Sequence, residues 1–236
     1  MMIFIPISIG VIFLITFLIF RVKEKRVIAV IFKGVTSLLF IITAVVAWIL
    51  SKHTNNSFGI FVLIGLFFGL LGDILLDLKY ILLKKEHLVT VLGFIAFAIG
   101  HVFFIIGLSI HFFDFSANIL YLIIPIIVTA LLVVITILME KFTKIRYKEM
   151  TPYVIGYGFV LFFATTLYLS ACIQTGWHVT TIIMMFAGLV LFALSDLILN
   201  NTYFATGFNT PLFIISNHVL YYVAQFLIAS SLLFLI

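Results

Sequence analysis

Hydrophobic and polar positions follow one another along the chain in long blocks, with short polar segments between extended apolar stretches. A helix needs about 20 consecutive apolar residues to cross the hydrocarbon core of a bilayer, which is roughly 30 Å thick. The pattern therefore predicts an all-α fold, a polytopic transmembrane helical bundle. We place its eight spans at residues 2–20, 27–50, 58–78, 88–112, 117–139, 151–173, 177–199 and 211–235.

Composition strengthens this prediction, because 65% of the 236 residues are hydrophobic and only 9% are charged. Mean hydropathy is +1.41, a value typical of membrane proteins. The predicted spans leave little chain for a soluble domain. We therefore expect residues 1–236 to form a single integral membrane domain, located in the cell membrane of a bacterium.

The basic residues predict the orientation of the bundle. Eleven of the thirteen lysines and arginines lie in the connections after spans one, three and five. The positive-inside rule makes this face cytoplasmic, so both termini are expected on the non-cytoplasmic side. Of the other two, Lys52 lies in an opposite connection and Lys33 lies within span two. The net charge of +5 then reflects topology, and we expect no nucleic-acid partner.

Two aspartates lie inside apolar stretches, in two sequence segments that closely resemble each other. Asp73 belongs to GLFFGLLGDILLD and Asp196 to GLVLFALSDLILN, 123 positions later. A charged side chain at the centre of a span costs roughly 3 kcal/mol, so a chain that keeps two of them is expected to use them. Four spans separate the copies, which makes spans three and seven parallel. The pattern predicts a parallel four-plus-four internal repeat, with halves at approximately 1–113 and 117–236 and both aspartates at equal depth towards the cytoplasmic face.

Other polar residues of the spans are candidates for the same site. Lys33 is expected near the depth of the aspartates, where it can reach the headgroups, form an ion pair with an aspartate or bind a lipid phosphate. His101 and Gln225 lie deeper, and a lone membrane histidine is often an interhelical hydrogen-bond partner. Asn200 follows Asp196 by one turn, as Asp77 follows Asp73, a spacing that also fits helix ends at the interface.

Gly65 and Gly69 share a helix face with Asp73, which allows a neighbouring helix or a ligand to come close. The chain has one cysteine, Cys172, which excludes a disulfide within the chain and cysteine-rich metal sites. Nucleotide-binding, serine-nucleophile and zincin motifs are absent from the sequence. We expect no cofactor and no metal.

Five short motifs, in this order, resemble the YhhN-like family of eight-span membrane proteins, which includes the animal lysoplasmalogenases. They are Lys33-Gly-Val-Thr36, Leu71-Gly72-Asp73-Ile-Leu-Leu76, Gly100-His101, Leu194-Ser195-Asp196 with Asn200, and Tyr221-Tyr222-Val-Ala224-Gln225. The resemblance covers nearly the whole chain. It implies hydrolysis of the vinyl ether bond of lysoplasmalogens, giving a fatty aldehyde and glycerophosphoethanolamine or glycerophosphocholine.

The residues suit this reaction. Protonation of a vinyl ether at its β-carbon gives an oxocarbenium ion that water captures, as in glycoside hydrolysis, and this needs an acid and a base. Asp73 and Asp196 are the predicted catalytic pair, since burial favours the protonated form of one of them. Their near-identical contexts leave the order of roles open. The expected partners are a lysophospholipid substrate and membrane lipids, and the expected substrate-binding residues are Lys33, His101, Asn200, Tyr222 and Gln225.

Two other functions fit the same features. A proton-coupled or lipid-related transporter also carries paired intramembrane acids between repeats. A lipid-binding or scaffolding protein needs only that the acids and the lysine pair with one another. Access separates the first two, because a carrier exposes its acids alternately to both faces whereas a hydrolase needs a pocket open to one leaflet.

Overall fold

The structure is a computed structural model that describes residues 2–51 and 57–235, so Lys52 lies outside the described residues. Eight helices of this part are long and apolar enough to span a membrane. They are α1 (Phe4–Val22), α2 (Arg26–Ser51), α3 (Phe58–Leu78), α4 (Glu86–His111), α5 (Leu120–Phe142), α6 (Thr151–Gln174), α7 (Thr180–Phe204) and α8 (Pro211–Ser231). Short 3-10 helices, Leu83–Lys85, Lys148–Met150 and Leu232–Phe234, precede α4 and α6 and follow α8.

The predicted all-α bundle of eight spans is confirmed, and most bounds agree within a few residues. The largest difference is at α7, which continues to Phe204 instead of ending at residue 199. Asn200 therefore lies inside the helix and does not mark its end. The extension carries polar residues to one end of the bundle, where they border the cavities described below.

Each helix packs against the next one along the chain except α4, which packs against α6 and not against α5. Contacts of α2 with α8 and of α4 with α6 join the two halves. α5 is peripheral, because it packs mainly against α6 and buries only Pro125, Thr129 and Val133. Most of its other apolar side chains are exposed, as those of lipid-facing residues are. We call the end of the bundle with the connections after α1, α3 and α5 the basic face.

Small residues at corresponding positions of the two halves let α3 approach α4 closely and α7 approach α8 closely. A methyl group added at Gly65 would lie 2.9 Å from the carbonyl oxygen of Gly100, and one added at Gly188 would lie 3.1 Å from that of Ala224. The members of the two pairs stand 123 and 124 positions apart. Small residues permit such close backbone approach. Helix packing thus accounts for Gly65, and the same neighbours recur in the order that a four-plus-four repeat predicts.

Candidate active site

Asp73 lies on α3 with three polar side chains around its carboxylate. Ser37 donates a hydrogen bond of 2.6 Å and Tyr221 one of 2.7 Å, both to Oδ2. The ammonium of Lys33 lies 3.2 Å from Oδ1. The side chain of Asp73 is buried. In such surroundings a cation and two hydroxyl donors stabilise the ionised carboxylate.

Lys33 is shared between two carboxylates. Its Nζ lies 3.2 Å from Asp77 Oδ1 as well, and the guanidinium of Arg21 pairs with the other oxygen of Asp77. The four formal charges of this ionic cluster, defined as Arg21, Lys33, Asp73 and Asp77, cancel. All four side chains are buried. Of the three interpretations of Lys33, the ion pair is the one that the structure shows.

Asp196, on α7, has different neighbours from its repeat counterpart. Tyr157 of α6 donates a hydrogen bond to its Oδ2, and the hydroxyl of Ser195 lies 3.5 Å from Oδ1. Within residues 2–51 and 57–235, no lysine, arginine or histidine lies within the 4.0 Å salt-bridge distance of this carboxyl group. Asp196 has hydroxyl partners and no cation beside it, so its neutral form is less costly than the neutral form of Asp73.

One cavity, which we call the acid cavity, is bordered by both aspartates. Its walls include Lys33, Asp73, Phe97, Asp196, Tyr203 and Tyr221. Its volume of ≈ 30 Å³ is room for about two water molecules, which need ~15 Å³ each. Asn217 holds the nearby backbone, since its Nδ2 donates a hydrogen bond of 2.7 Å to the carbonyl of Ser195. The arrangement places water-sized space beside an ion-paired aspartate and an aspartate without a cation.

A second cavity, the side groove, meets the acid cavity at Asp196. It runs between α4, α6 and α7 with Thr136 of α5 at its edge, and its lining is mostly apolar. Asn200 lies in this groove with Asp196. The groove holds ≈ 30 Å³, too little for an alkyl chain until its walls part. α5, which packs mainly against α6, contributes only Thr136 to its lining.

The structure brings some of the expected substrate-binding residues together and keeps others apart. Lys33 and Asn200 border the two cavities, as described. His101, Tyr222 and Gln225 are buried but are not among the residues lining either one. The hydroxyl of Tyr222 forms a hydrogen bond of 3.0 Å with that of Ser37. Gln225 Nε2 donates a hydrogen bond of 2.9 Å to the hydroxyl of Tyr221.

The deep position of His101 also differs from the expectation of a pocket-lining residue. Its Nδ1 lies 2.8 Å from the carbonyl oxygen of Phe97, and its ring lies edge-on to Phe192, with 4.7 Å between ring centroids. Its Nε2 is buried without a hydrogen-bond partner in the described part of the chain. The side chain is thus packed in an aromatic environment of the core.

Four residues of the site had no role assigned to them from the sequence. Arg21 appeared only as a topology signal, although it is the last-turn arginine of α1 and is buried. Tyr157 belongs to no motif, Ser37 stands one turn after Lys33, and Tyr221 belongs to one of the five motifs without a role of its own. Their partners lie 36 to 148 positions away along the chain, so no local pattern reports these contacts. Asp77 did carry a signal, its shared spacing with Asn200. It lies one residue before the end of α3, as a residue that marks a helix end would, and it pairs ionically with Arg21 and Lys33.

Together these features define an integral membrane protein of eight helices with two intramembrane carboxyl groups on one small cavity. The chain belongs to the YhhN family, whose family model matches residues 28–232. The match takes in all the named walls of the acid cavity, whereas Arg21 precedes it. No curated protein and no solved structure matched the chain.

Proposed function

We propose that this chain hydrolyses the vinyl ether bond of lysoplasmalogens, releasing a fatty aldehyde and a glycerophospho-alcohol. The observation that carries the proposal is the acid cavity, where two aspartates with different partners border space for water. Membership of the YhhN family supports the same reaction class. The reaction uses one water molecule and breaks the bond between the former vinyl carbon and the glycerol oxygen.

In the first step, Asp196 is the proton donor. It gives its proton to the β-carbon of the vinyl ether, and the electrons of the double bond form the new C–H bond. The positive charge then lies on the carbon and oxygen of an oxocarbenium ion. Asp196 suits this role because it has no cation partner among the described residues and because it borders the side groove, from which an alkenyl chain would enter.

In the second step, water in the acid cavity attacks the cationic carbon. The ionised Asp73 orients this water and stabilises the positive charge, while Lys33, Ser37 and Tyr221 hold the carboxylate in place. The water passes one proton to the now ionised Asp196, which restores the acid, and a hemiacetal forms. The hemiacetal then collapses to aldehyde and alcohol as its hydroxyl proton moves to the departing glycerol oxygen. General acid and base catalysis of this kind contributes about 10²–10⁴-fold each.

The transporter alternative has less support. Asp73 lies five residues before the end of α3 and Asp196 eight residues before the end of α7. At 1.5 Å per residue both carboxyl groups are about 8–12 Å from the basic face, whereas paired carrier sites lie near the bilayer midplane. A site near one face suits a reaction on a lipid of that leaflet.

The test is aldehyde release from purified, detergent-solubilised protein given lysoplasmalogen, with the ester-linked lysophospholipid as control substrate. We expect Asp73→Asn and Asp196→Asn to lose turnover by about a hundredfold or more. Asp114→Asn is the matched control, since Asp114 is exposed between α4 and α5 and should leave turnover unchanged. Full turnover in Asp196→Asn would exclude the proposal. Aldehyde release that is the same in wild type, Asp73→Asn and Asp196→Asn would also exclude it.

A further inference from the structure

A third cavity, which we call the vestibule, opens at the basic face. It lies between the end of α3, the start of α4 and the end of α7, and its lining includes Lys79, Lys84, Glu86, His87, Tyr203 and Phe204. Its volume of ≈ 410 Å³ far exceeds that of the acid cavity or the side groove. The vestibule is therefore the one of these three that already has room for a polar headgroup.

Lys79 is a buried cation without a carboxylate partner. Only 9% of its surface is exposed, and within residues 2–51 and 57–235 no carboxylate oxygen lies within 4.0 Å of its ammonium. Its Nζ lies over the ring of Tyr203, 2.9 Å from the ring centroid. Burial lowers the pKa of Lys79 to about 7, while Glu86 and Asp77 oppose this shift. A buried cation of this kind is stabilised by an anion that binds beside it.

The two buried lysines differ in this respect. Lys33 has two carboxylates at 3.2 Å and belongs to a cluster whose charges cancel. Lys79 has an aromatic ring, and it shares the vestibule with Lys84 and His87 against the single acid Glu86. The two lysines of the vestibule are thus available to an incoming anion, whereas Lys33 is already paired.

The vestibule adjoins both smaller cavities. Tyr203 borders the vestibule and the acid cavity, and Phe204 borders the vestibule and the side groove. The connection after α5 holds this end of α7, because Arg146 N donates a 2.7 Å hydrogen bond to the carbonyl of Phe204. An amphiphile whose reactive bond lies in the acid cavity would therefore place its polar end in the vestibule.

We propose that the vestibule binds the phosphate of a lysophospholipid, with Lys79 as its inner ligand and Lys84 and His87 at its rim. This inference rests on the proposed function and moves the phosphate site from Lys33, where the sequence left it as one alternative, to Lys79. In this arrangement the glycerol passes Tyr203, the ether group lies beside Asp196, and the chain follows the side groove.

The test is binding, so that it does not depend on turnover. Purified protein in an uncharged detergent at pH 6.5 is titrated with oleoyl lysophosphatidylethanolamine, whose ester bond is not the proposed substrate, and with monoolein, which has the same chain and no phosphate. Thermal stabilisation reports binding. We expect the phospholipid to bind wild type more tightly than monoolein does, and Lys79→Gln to bind it roughly tenfold more weakly with monoolein binding unchanged.

Lys144→Gln is the matched control, because Lys144 is an exposed residue of the basic face outside the vestibule. Lys79→Arg, which keeps the charge, should retain the preference for the phospholipid. Equal binding of the two lipids by wild type, or an unchanged preference in Lys79→Gln, would overturn the inference. Equal stabilisation by inorganic phosphate alone would also overturn it, since the site would then serve the free anion. Aldehyde release is scored separately, so a failed hydrolase assay leaves the binding result intact.

Discussion

The two aspartates occupy equivalent places in the two halves, yet their surroundings differ at equivalent positions. Lys33 of α2 contacts Asp73, and Tyr157 of α6, which stands 124 positions after Lys33, contacts Asp196. The helix pair is the same in both halves, but a cation in the first is a phenol in the second. The same pairing of helices can therefore surround two carboxyl groups with different partners.

The contacts that each aspartate receives from the opposite half also differ between equivalent positions. Tyr221 of α8 donates a hydrogen bond to the first aspartate, and its equivalent in α4, 124 positions earlier, is Phe97, which has no hydroxyl. Asp77 joins the ionic cluster, whereas its counterpart Asn200 carries no charge. Each of these positions is more polar or more charged around the first aspartate. Under the proposed function, this difference is the reason for giving the role of acid to Asp196 and that of ionised partner to Asp73.

The largest expected effect comes from making the second site resemble the first. Tyr157→Lys places a cation beside Asp196 and so stabilises its ionised form, which removes the proposed proton donor although the carboxyl group remains. We expect turnover to fall by about a hundredfold or more, measured as aldehyde release. Tyr157→Phe, which removes only the hydroxyl, should retain most of the activity. Wild-type turnover in Tyr157→Lys would contradict the assignment of roles.

The second way to test the comparison is to remove the cation from the first half. Lys33→Met leaves Asp73 buried without its partner, and we expect about 3 kcal/mol less stability in denaturant unfolding. Adding Asp73→Asn to Lys33→Met should recover much of this loss, because the amide needs no counter-ion. Adding Asp196→Asn instead should recover none. Equal recovery by the two double variants would mean that the lysine serves both aspartates alike.

The glycines test whether the two halves share one packing geometry. Gly65→Ala and Gly188→Ala each push a methyl group against a facing carbonyl oxygen, and we expect losses of about 1–3 kcal/mol in unfolding free energy. The loss at Gly65 should be the larger, since the backbone approach is closer there. Gly156→Ala is the control, because its added methyl meets nothing within 4 Å. A neutral result at only one of the two contact glycines would show that the halves pack differently.

The smallest expected effect comes from making the first site resemble the second. Tyr221→Phe removes one of the two hydroxyl donors to Asp73 and leaves Ser37 and Lys33 in place. A single hydrogen bond contributes about 1 kcal/mol, so we expect turnover to fall by several-fold. Tyr121→Phe on the peripheral α5 serves as control in the same aldehyde assay. A loss as large as that of Asp73→Asn would give Tyr221 a direct part in the reaction.

Much of this fold was predictable, because spans are set by local hydrophobicity and length. The repeated phrase also predicted that Asp73 and Asp196 lie at similar depth, and the structure places both on one cavity. An ion pair of Lys33 with an aspartate was one of the alternatives, but which partners surround which aspartate was not predictable. Lys33 and Tyr157 lie 40 and 39 positions before the carboxyl groups that they contact, on helices whose rotation no local pattern determines. Near-identical phrases therefore concealed the difference between the sites.

The buried pair between Arg21 and Asp77 also has a consequence for how the protein is made. The two residues are 56 positions apart, so α1 leaves the ribosome well before its counter-charge on α3 exists. A charged side chain is costly inside hydrocarbon, which favours keeping the end of α1 at the membrane surface during synthesis. Lys33 likewise has no counter-charge until α3 has been synthesised. Helices α1 to α3 should therefore settle into the bilayer as one unit, with α3 as the element that completes their insertion.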